Sequence, residues 1–363
     1  MRSIPLVRAF WGQPFLRFFR EIGAPVDRYL EEAKLPPDVD EASELPCPSL
    51  LLYGVIDKLA HDEGIRDVGV TVGERTRIGS WGSFGRLVAG APTLLHAIRT
   101  ARRLMPAVHT ARKLNLSCNG QQARLSSKRS DPWTAGAPWE DHFILLMMID
   151  LVKLAAGPGW RPAGVALQTN SFADRLDCAI LSRAVVRRGA GATSVLFPRS
   201  FLSRRLLNAP ASSSSEFQRA SRSVDSTPLP TDLASSLQSV LELLVPQGHT
   251  DIDTAADLIG TSRRTLQRRL LERGHTFSSV LTRTRMDLAG RLFHRPSVKV
   301  IDVAFELGYS DPSHFTKAFR RWTGLSPRMY RGKLRTSLQA IEPPFARSVS
   351  RAPGGPRDRL AAS

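Results

Sequence analysis

Two short stretches carry side chains able to bind a partner in a directed way. In the first, Arg263, Arg264, Gln267, Arg268 and Arg269 follow Ser262; in the second, Ser313, His314, Lys317, Arg320 and Arg321 follow Asp311-Pro312. A guanidinium fork matches two adjacent acceptors, such as those on the edge of guanine, and a carboxamide matches the donor and acceptor of adenine. Further Arg and Lys side chains neutralise phosphates, which positions a protein on a duplex without reading its bases. A solvated helix face is the plain alternative, because most runs of charge are no more than that. The elements that hold these residues must decide.

Those elements read as two copies of one layout. Residues 254–259 suit a short helix with Ala255 and Leu258 inward, Gly260 permits a turn, and Ser262 caps a second helix anchored by Leu266 and Leu270. In the second copy Val300, Val303, Ala304 and Leu307 face inward, Gly308 ends the helix, and Asp311 and Pro312 supply the cap and first turn of the next. Phe315, Phe319 and Trp322 form the inner stripe of that helix and are read as core, not as stacking platforms. The remaining polar residues fall on the outer faces. This is the layout of a helix-turn-helix, whose second helix enters the major groove. Between the copies, residues 277–293 predict one continuous helix with Val280, Leu281, Leu288 and Leu292 available for packing. Its 17 residues would span roughly 25 Å, a spacer suited to placing two helices in successive turns of the groove, about 34 Å apart.

Composition agrees. The chain has 363 residues, 42% of them hydrophobic, and 51 Lys and Arg against 33 Asp and Glu, a net charge of +18. Such an excess favours a polyanion through counterion release. It is densest in residues 232–335, where 17 Lys and Arg face 10 Asp and Glu, and in the tail that follows, where 4 face 2. Cys47, Cys118 and Cys178 are odd in number and widely spaced, which argues against a disulfide framework or a zinc knuckle and fits a reducing cytoplasm. The apolar run 143–149 falls far short of the roughly 20 residues of a membrane span, and Arg8, Arg17 and Arg20 interrupt the start of the chain where a signal peptide would be apolar. No membrane partner is expected.

Residues 1–207 read as a mixed α and β domain. Phe15, Phe18, Phe19 and Ile22 share a helix face; residues 50–60 and 93–104 are further helices, the latter capped by Thr93 with Leu94, Leu95, Ile98 and Leu104 inward. Residues 114–118 and 121–125 predict a hairpin around Asn119-Gly120, the pair a type I′ turn prefers. Residues 139–155 suit a buried helix, and 165–169 and 194–197 short strands. Trp133, Trp139, Glu140, Asp141 and His142 cluster and could line a pocket, with Trp133, Trp139 and His142 the candidates for contact with a small effector; carboxylates beside a His at a helix start are more often caps. Gly79, Gly82 and Gly85 read as a flexible turn and not a dinucleotide fingerprint. No GxSxG, HExxH or Walker loop occurs, so no catalytic residue, cofactor or metal is expected. Residues 208–231, rich in Ser and Pro, read as a linker, and 336–363 as a disordered tail.

GTSRRTLQRRLLERG (260–274), Arg285 and Ala289 in the spacer, and AFELGYSDPSHFTKAFRRWTGLSPRMYR (304–331) together resemble the DNA-binding domain of the AraC/XylS family of bacterial transcription regulators. IGAPVDRYLEEAKLP (22–36), VGVTVGE (68–74), APTLLHAIR (91–99), GPGWRP (157–162) and SVLFPRSFLSRRL (194–206) resemble, more loosely, the arabinose-binding-like effector domain of such regulators. The resemblance implies a multidomain chain: an α+β effector domain over 1–207, then an all-α domain over 232–335 with two helix-turn-helix units joined by a long helix. It implies base reading by Arg264, Gln267, Arg268, Ser313, His314 and Lys317, with Pro312 also at a reading position, and backbone contact by Arg263, Arg269, Arg320 and Arg321 falls beside them. The implied partners are double-stranded promoter DNA, RNA polymerase and a small-molecule effector, with room for a homodimer. A non-enzymatic activator in the cytoplasm, associated with the nucleoid when bound, is the expectation. An enzyme or DNA-repair protein that uses the helix-turn-helix pair for targeting, and a nonspecific chromosome-organising protein, are the alternatives.

Overall fold

The computed structural model describes residues 3–39, 44–130, 137–170, 178–207, 228–295 and 297–339, with backbone alone for 137 and 334–339. The chain forms two compact units, one ending at Thr284 and one beginning at Arg285. Among the described residues no helix is long and apolar enough to cross a membrane.

The first unit opens with a short strand, β1 (Leu6–Arg8), then α1 (Gln13–Glu21) and α2 (Val26–Glu32). Phe15, Phe18 and Phe19 bury one face of α1, whereas Ile22, expected beside them, caps the helix and is 44% exposed. Next come β2 (Pro46–Pro48), paired antiparallel with β1, then α3 (Ser49–Asp62), α4 (Val68–Arg75), α5 (Gly82–Ala89) and α6 (Leu94–Val108). Thr93 caps α6 as expected, its hydroxyl accepting from the His96 amide at 3.4 Å.

The expected flexible turn at Gly79, Gly82 and Gly85 is instead partly a packing device. Gly82 does hold a positive φ of 61°, but a methyl on Gly85, inside α5, would stand 1.9 Å from the Ile78 carbonyl oxygen. Periodicity cannot show such an approach, because it depends on what the backbone meets.

Five strands form the main sheet: β3 (Arg112–Asn119), β4 (Gln122–Arg129), then, after α7 (Ala137–Ala156), β5 (Gly164–Ala166), β6 (Val185–Arg187) and β7 (Thr193–Pro198). Their order is β3-β4-β7-β5-β6, antiparallel except for the β5–β6 pair. The hairpin is present but its turn sits one residue later than expected. Asn119 pairs with Gln122, leaving Gly120-Gln121 as the loop, and only Gly120 takes a positive φ, 55°. That sign pattern belongs to a type II′ turn, which needs Gly first and spares Asn the left-handed region.

One face of the sheet is covered by α6 and α7. Ala123 and Leu125 of β4, Val165 of β5, and Val195 and Phe197 of β7 point into it, while Gln122, Arg124 and Lys128 alternate outward. Every residue of α7 from Phe143 to Ile149 is buried, as the apolar run predicts, and each large side chain so buried is worth about 1.5–3 kcal/mol.

At the inward position of β3 stands Arg112, only 2% exposed. A buried guanidinium demands counter-charges, and α7 delivers them. Nε of Arg112 donates to Oε1 of Glu140 at 2.8 Å, and Nη2 lies 2.6 Å from Oε2 and 3.1 Å from Oδ1 of Asp141. Nη1 donates to the Ser127 hydroxyl at 3.0 Å. The Tyr53 hydroxyl donates to Glu140 at 2.5 Å, and the Arg129 guanidinium adds a contact at 3.4 Å. His109 Nδ1 accepts from the Ala111 amide at 3.1 Å, which leaves its proton on Nε2, 3.4 Å from Glu140. Glu140 and Asp141 are therefore not caps; they are the partners of a core arginine.

A further helix, α8 (Leu233–Leu244), belongs to this same unit. The Asp232 carboxylate caps it by accepting from the Ser235 amide at 2.8 Å. Leu243 joins the apolar core of the first domain, the Ser236 hydroxyl accepts from the Ile4 amide at 3.1 Å, and the Leu229 amide donates to the Pro106 carbonyl at 3.0 Å. Residues 208–227, within the expected linker, and 340–363, within the expected tail, lie outside the described residues.

Burial alone would raise the Glu140 carboxyl, but the charge and hydrogen bond of Arg112 outweigh it and hold the group well below the usual carboxylate range. Glu140→Gln keeps the shape and removes the charge, so the first unit should lose about 3–5 kcal/mol, read from urea unfolding of the full chain by near-ultraviolet circular dichroism. The depressed carboxyl also fixes a pH dependence: its contribution is complete above about pH 4.3 and is lost as the pH falls from there towards the folded value. Wild-type midpoints should drop between about pH 5 and pH 3 more steeply than those of Glu140→Gln.

Candidate nucleic-acid interface

Both helix-turn-helix layouts are present, one in each unit. The first consists of α9 (Ile252–Leu258) and α10 (Arg263–Leu271), and the second of α12 (Val300–Glu306) and α13 (Pro312–Thr323); α11 (Phe277–Phe293) runs as one helix through the sequence between them, and α14 (Pro327–Gln339) follows. α9 starts two residues earlier than expected, because the Asp251 carboxylate accepts from the Thr254 amide at 2.7 Å.

The two turns are closed by the same backbone geometry. In the first, the Thr261 amide donates to Ala256 at 2.9 Å and the Gly260 amide to Asp257 at 3.0 Å. In the second, Tyr309 donates to Ala304 at 3.0 Å and Gly308 to Phe305 at 2.9 Å. These are Schellman pairs around a left-handed residue, and Gly260 and Gly308 hold φ of 66° and 73°. Ser262 then caps α10 by accepting from the Thr265 amide at 3.3 Å, and Asp311 caps α13 by accepting from the Ser313 amide at 2.7 Å. That amide holds the Asp311 carboxyl below its ordinary value, so the cap carries its negative charge at neutral pH.

Burial sorts the side chains as the spacing predicts. Ala255, Leu266 and Leu270 are 1% exposed or less, as are Val303, Ala304, Leu307, Phe315 and Phe319. Leu258, Val300 and Trp322, all expected inward, are half-buried, and Ile259 takes the deeper place beside Leu258, at 2% exposure. In the second unit Phe293, Phe315 and Phe319 pack ring against ring, with Phe293 and Phe319 centroids 5.5 Å apart. Arg285 braces the turn: its guanidinium lies 4.6 Å over the Tyr309 ring, and its Nε donates to the Leu307 carbonyl at 3.1 Å.

Arg263, Arg264, Gln267 and Arg268 are all exposed on α10, with Arg269 half-buried beside them. On α13, Ser313, His314, Lys317, Arg320 and Arg321 are exposed. Two of the cations are engaged within their own unit: Arg263 Nη1 lies 3.0 Å from Asp253 Oδ2, and Arg268 pairs with Glu272 one turn on. Exposed pairs of this kind contribute about 0–1 kcal/mol, so either guanidinium is released at small cost. Matching the buried anchors Leu266 and Leu270 to Phe315 and Phe319 sets Arg264 against Ser313, Arg268 against Lys317 and Gln267 against Thr316. Thr316 was not marked by the sequence, and its hydroxyl donates to the Pro312 carbonyl at 2.9 Å, a back-bond common for helical threonine.

The effector candidates separate. Trp133 lies outside the described residues. Trp139 and His142 line an open cleft of about 520 Å³ with Asp57 and Asp67. There the Trp139 indole donates to Asp57 at 2.5 Å, and His142 Nδ1 stands 2.7 Å from Asp67 Oδ2 without the alignment of a hydrogen bond.

Comparison with known proteins agrees with this anatomy. The arabinose-binding domain model of the N-terminal part of AraC transcription regulators matches residues 23–206, just over half of the chain, and a helix-turn-helix domain model matches 255–333. The transcriptional regulator VirS of Mycobacterium tuberculosis is 25% identical over 341 residues, covering 90% of this chain and 96% of that protein. The ornithine utilization regulator of Pseudomonas aeruginosa is 24% identical over 332 residues, again covering 90% and 96%. The transcriptional activator RhaS of an Enterobacter species is 38% identical over 88 residues, 24% of this chain and 32% of that protein. The chain belongs to the AraC family of transcription regulators and is a DNA-binding regulator, not an enzyme.

Proposed function

We propose that this regulator reads an asymmetric promoter site with two recognition helices, α10 and α13, and that a small effector in its first domain governs the reading. The observation that carries the first part is the repeated geometry: two glycine-closed turns, each followed by a capped helix whose outer face is exposed and polar. Arg264, Gln267 and Arg268 on α10, with Ser313, His314 and Lys317 on α13, are the base readers; Arg263, Arg269, Arg320 and Arg321 hold the phosphates. Residues 1–207 serve as the effector domain, 208–231 as the linker, 232–335 as the DNA-binding domain and 336–363 as a tail.

Effector control is supported by α8. A helix that leads directly into α9 and α10 places Leu243 in the effector domain's core and hydrogen-bonds the Ile4 amide through Ser236, so a change in that core has a packed route to the first reading head. The outcome is activation, for which the similarity to RhaS speaks, through RNA polymerase bound at the same promoter; a second copy of the chain is a further partner. The regulator works in the cytoplasm, on the nucleoid when bound.

Arg268→Ala should weaken binding to a footprinted promoter site by about 1–3 kcal/mol, roughly 5- to 150-fold, and binding to random duplex much less. An equal loss on both would remove Arg268 from the reading set. In the same titrations log Kd should rise steeply and linearly with log salt, by about 0.9 per phosphate neutralised; a flat line would sink the DNA reading altogether.

A further inference from the structure

The main sheet ends in two edges, β3 and β6. β6 has three residues, whereas β3 has eight, pairs with β4 without a bulge from Arg112 to Asn119, and contains no proline. An open edge of that length invites another strand, and folded proteins shorten, bulge, charge or cover their edges. The stretch from Lys113 to Asn119 carries one charge, at its first residue, and Asn115, Ser117, Cys118 and Asn119 are exposed. The outer half of β3 thus has none of those protections.

The hairpin turn decides which backbone groups are open. A hydrogen bond between Asn119 and Gln122 closes it, so Asn119 faces β4, and alternation turns Ser117, Asn115 and Lys113 the same way. The N–H and C=O groups of Leu114, Leu116 and Cys118 then point off the sheet, and among the described residues no backbone hydrogen bond from another element reaches them. The side chains of these three share the covered face with Arg112. Yet Leu114 and Leu116 are half-buried and Cys118 is exposed, because the sheet stops beside them. Unused donors, unused acceptors and an unfinished apolar row therefore lie along one edge.

We infer that β3 is a dimerisation strand, and that its partner is β3 of a second copy of this chain, antiparallel about a two-fold axis at Leu116. The inference rests on the reading above that a second copy is a partner, and gives that copy its place. The strand is self-complementary in this register. Leu116 faces its own copy, and Leu114 of each copy faces Cys118 of the other, so apolar side chains complete the half-buried row in both directions. Each of these three residues donates one backbone hydrogen bond across the axis and accepts one. On the outer face Asn115 meets Ser117 and Lys113 meets Asn119, so no like charges stand opposite each other. A slide of two residues sets the apolar row against Arg112 in one direction and against the turn in the other. One strand per copy is a small contact of the weak, reversible class, so the dimer responds to concentration.

The test uses the full chain, oxidised with diamide and read by non-reducing electrophoresis. Leu116→Cys combined with Cys118→Ser should give a covalent dimer, because hydrogen-bonded residues directly opposite lie about 5.5 Å apart, within disulfide reach. The native Cys118, though more exposed, stands roughly 13 Å from its copy at about 3.3 Å per residue and should stay largely uncoupled. Leu114→Cys should cross-link when Cys118 is retained and fail to do so with Cys118→Ser, which fixes the register. Should the cysteine variants not fold, the exposed outer face decides. Asn115→Lys with Ser117→Lys sets like charges opposite across the axis and should raise the dimer dissociation constant about fivefold in sedimentation equilibrium, whereas Asn115→Glu with Ser117→Lys should not. Cross-linking at position 116 no greater than at Cys118, or equal dissociation constants in the two charge variants, overturns the inference. Sedimentation of the wild-type chain separates the failures: a dimer indifferent to every one of these changes refutes the strand alone, whereas a chain monomeric at all concentrations removes the second copy as a partner.

Discussion

A guanidinium buried in the first domain's core is the constraint on which that domain's arrangement rests. Arg112 sits at an inward strand position, where leaving it unpaired would cost far more than any one apolar contact returns. Glu140 and Asp141 answer it from α7, and that answer sets the rotation of the helix. With Glu140 turned towards the sheet, Ile144, Met147, Met148 and Leu151 follow on the same side at helical spacing and are buried there. Trp139 and His142, on neighbouring faces, are left to line the open cleft. A pair such as this adds little net stability over well-packed apolar residues; what it supplies is a single orientation of a helix that is otherwise apolar nearly all round and would pack almost equally well in several.

The DNA-binding elements rest on a different economy, in which backbone geometry does the positioning and side chains are kept free. Each reading helix is held by two buried anchors, Leu266 and Leu270 or Phe315 and Phe319, behind a glycine that closes the turn without side-chain help. Few outward residues are then needed for support, and those that pair do so in exposed contacts of small worth. The two heads are unequal. α10 offers Arg264, Gln267 and Arg268, side chains of the types that pair bidentately with bases, whereas the matching places on α13 hold Ser313 and Thr316, whose hydroxyls are less selective, and Lys317. On the proposed reading the firmer specificity falls to the first head, and phosphate contact weighs more in the second.

This contrast explains what could be read in the sequence. Helix-turn-helix geometry is local: caps, a left-handed glycine and apolar spacing all fall within some twenty residues, and the short range of those signals made Gly260, Ser262, Gly308 and Asp311 legible. Strands of three residues such as β1, β2 and β6 are too short for alternation to register, and went unread. The hairpin was legible and its register was not, because a one-residue slide that gives Gly120 the only positive φ leaves the local composition unchanged. The role of Glu140 and Asp141 was hidden by their place at a helix start. A signal existed nonetheless: Arg112 is in phase with Leu114 and Leu116, so its charge had to point inward and find a carboxylate.

The position of α8 bears on how a sensor domain controls a reading head. A regulator whose domains were joined only by a flexible tether would let an effector alter local concentration and little else. Here the helix that leads into the first head shares a compact unit with the effector domain, with Leu243 in its core and Ser236 bound to the N-terminal segment. Packed side chains move between discrete arrangements and do not yield continuously, so repacking around Ile4 and Ser236 must either keep the α8 contact or break it. Breaking it strands the Ile4 amide, a buried donor, at a cost of about 1–3 kcal/mol. A free-energy difference of that size is what typical allosteric coupling requires, and a contact of one hydrogen bond and a few apolar side chains is therefore strong enough to carry the signal and weak enough to be reversed by a small ligand.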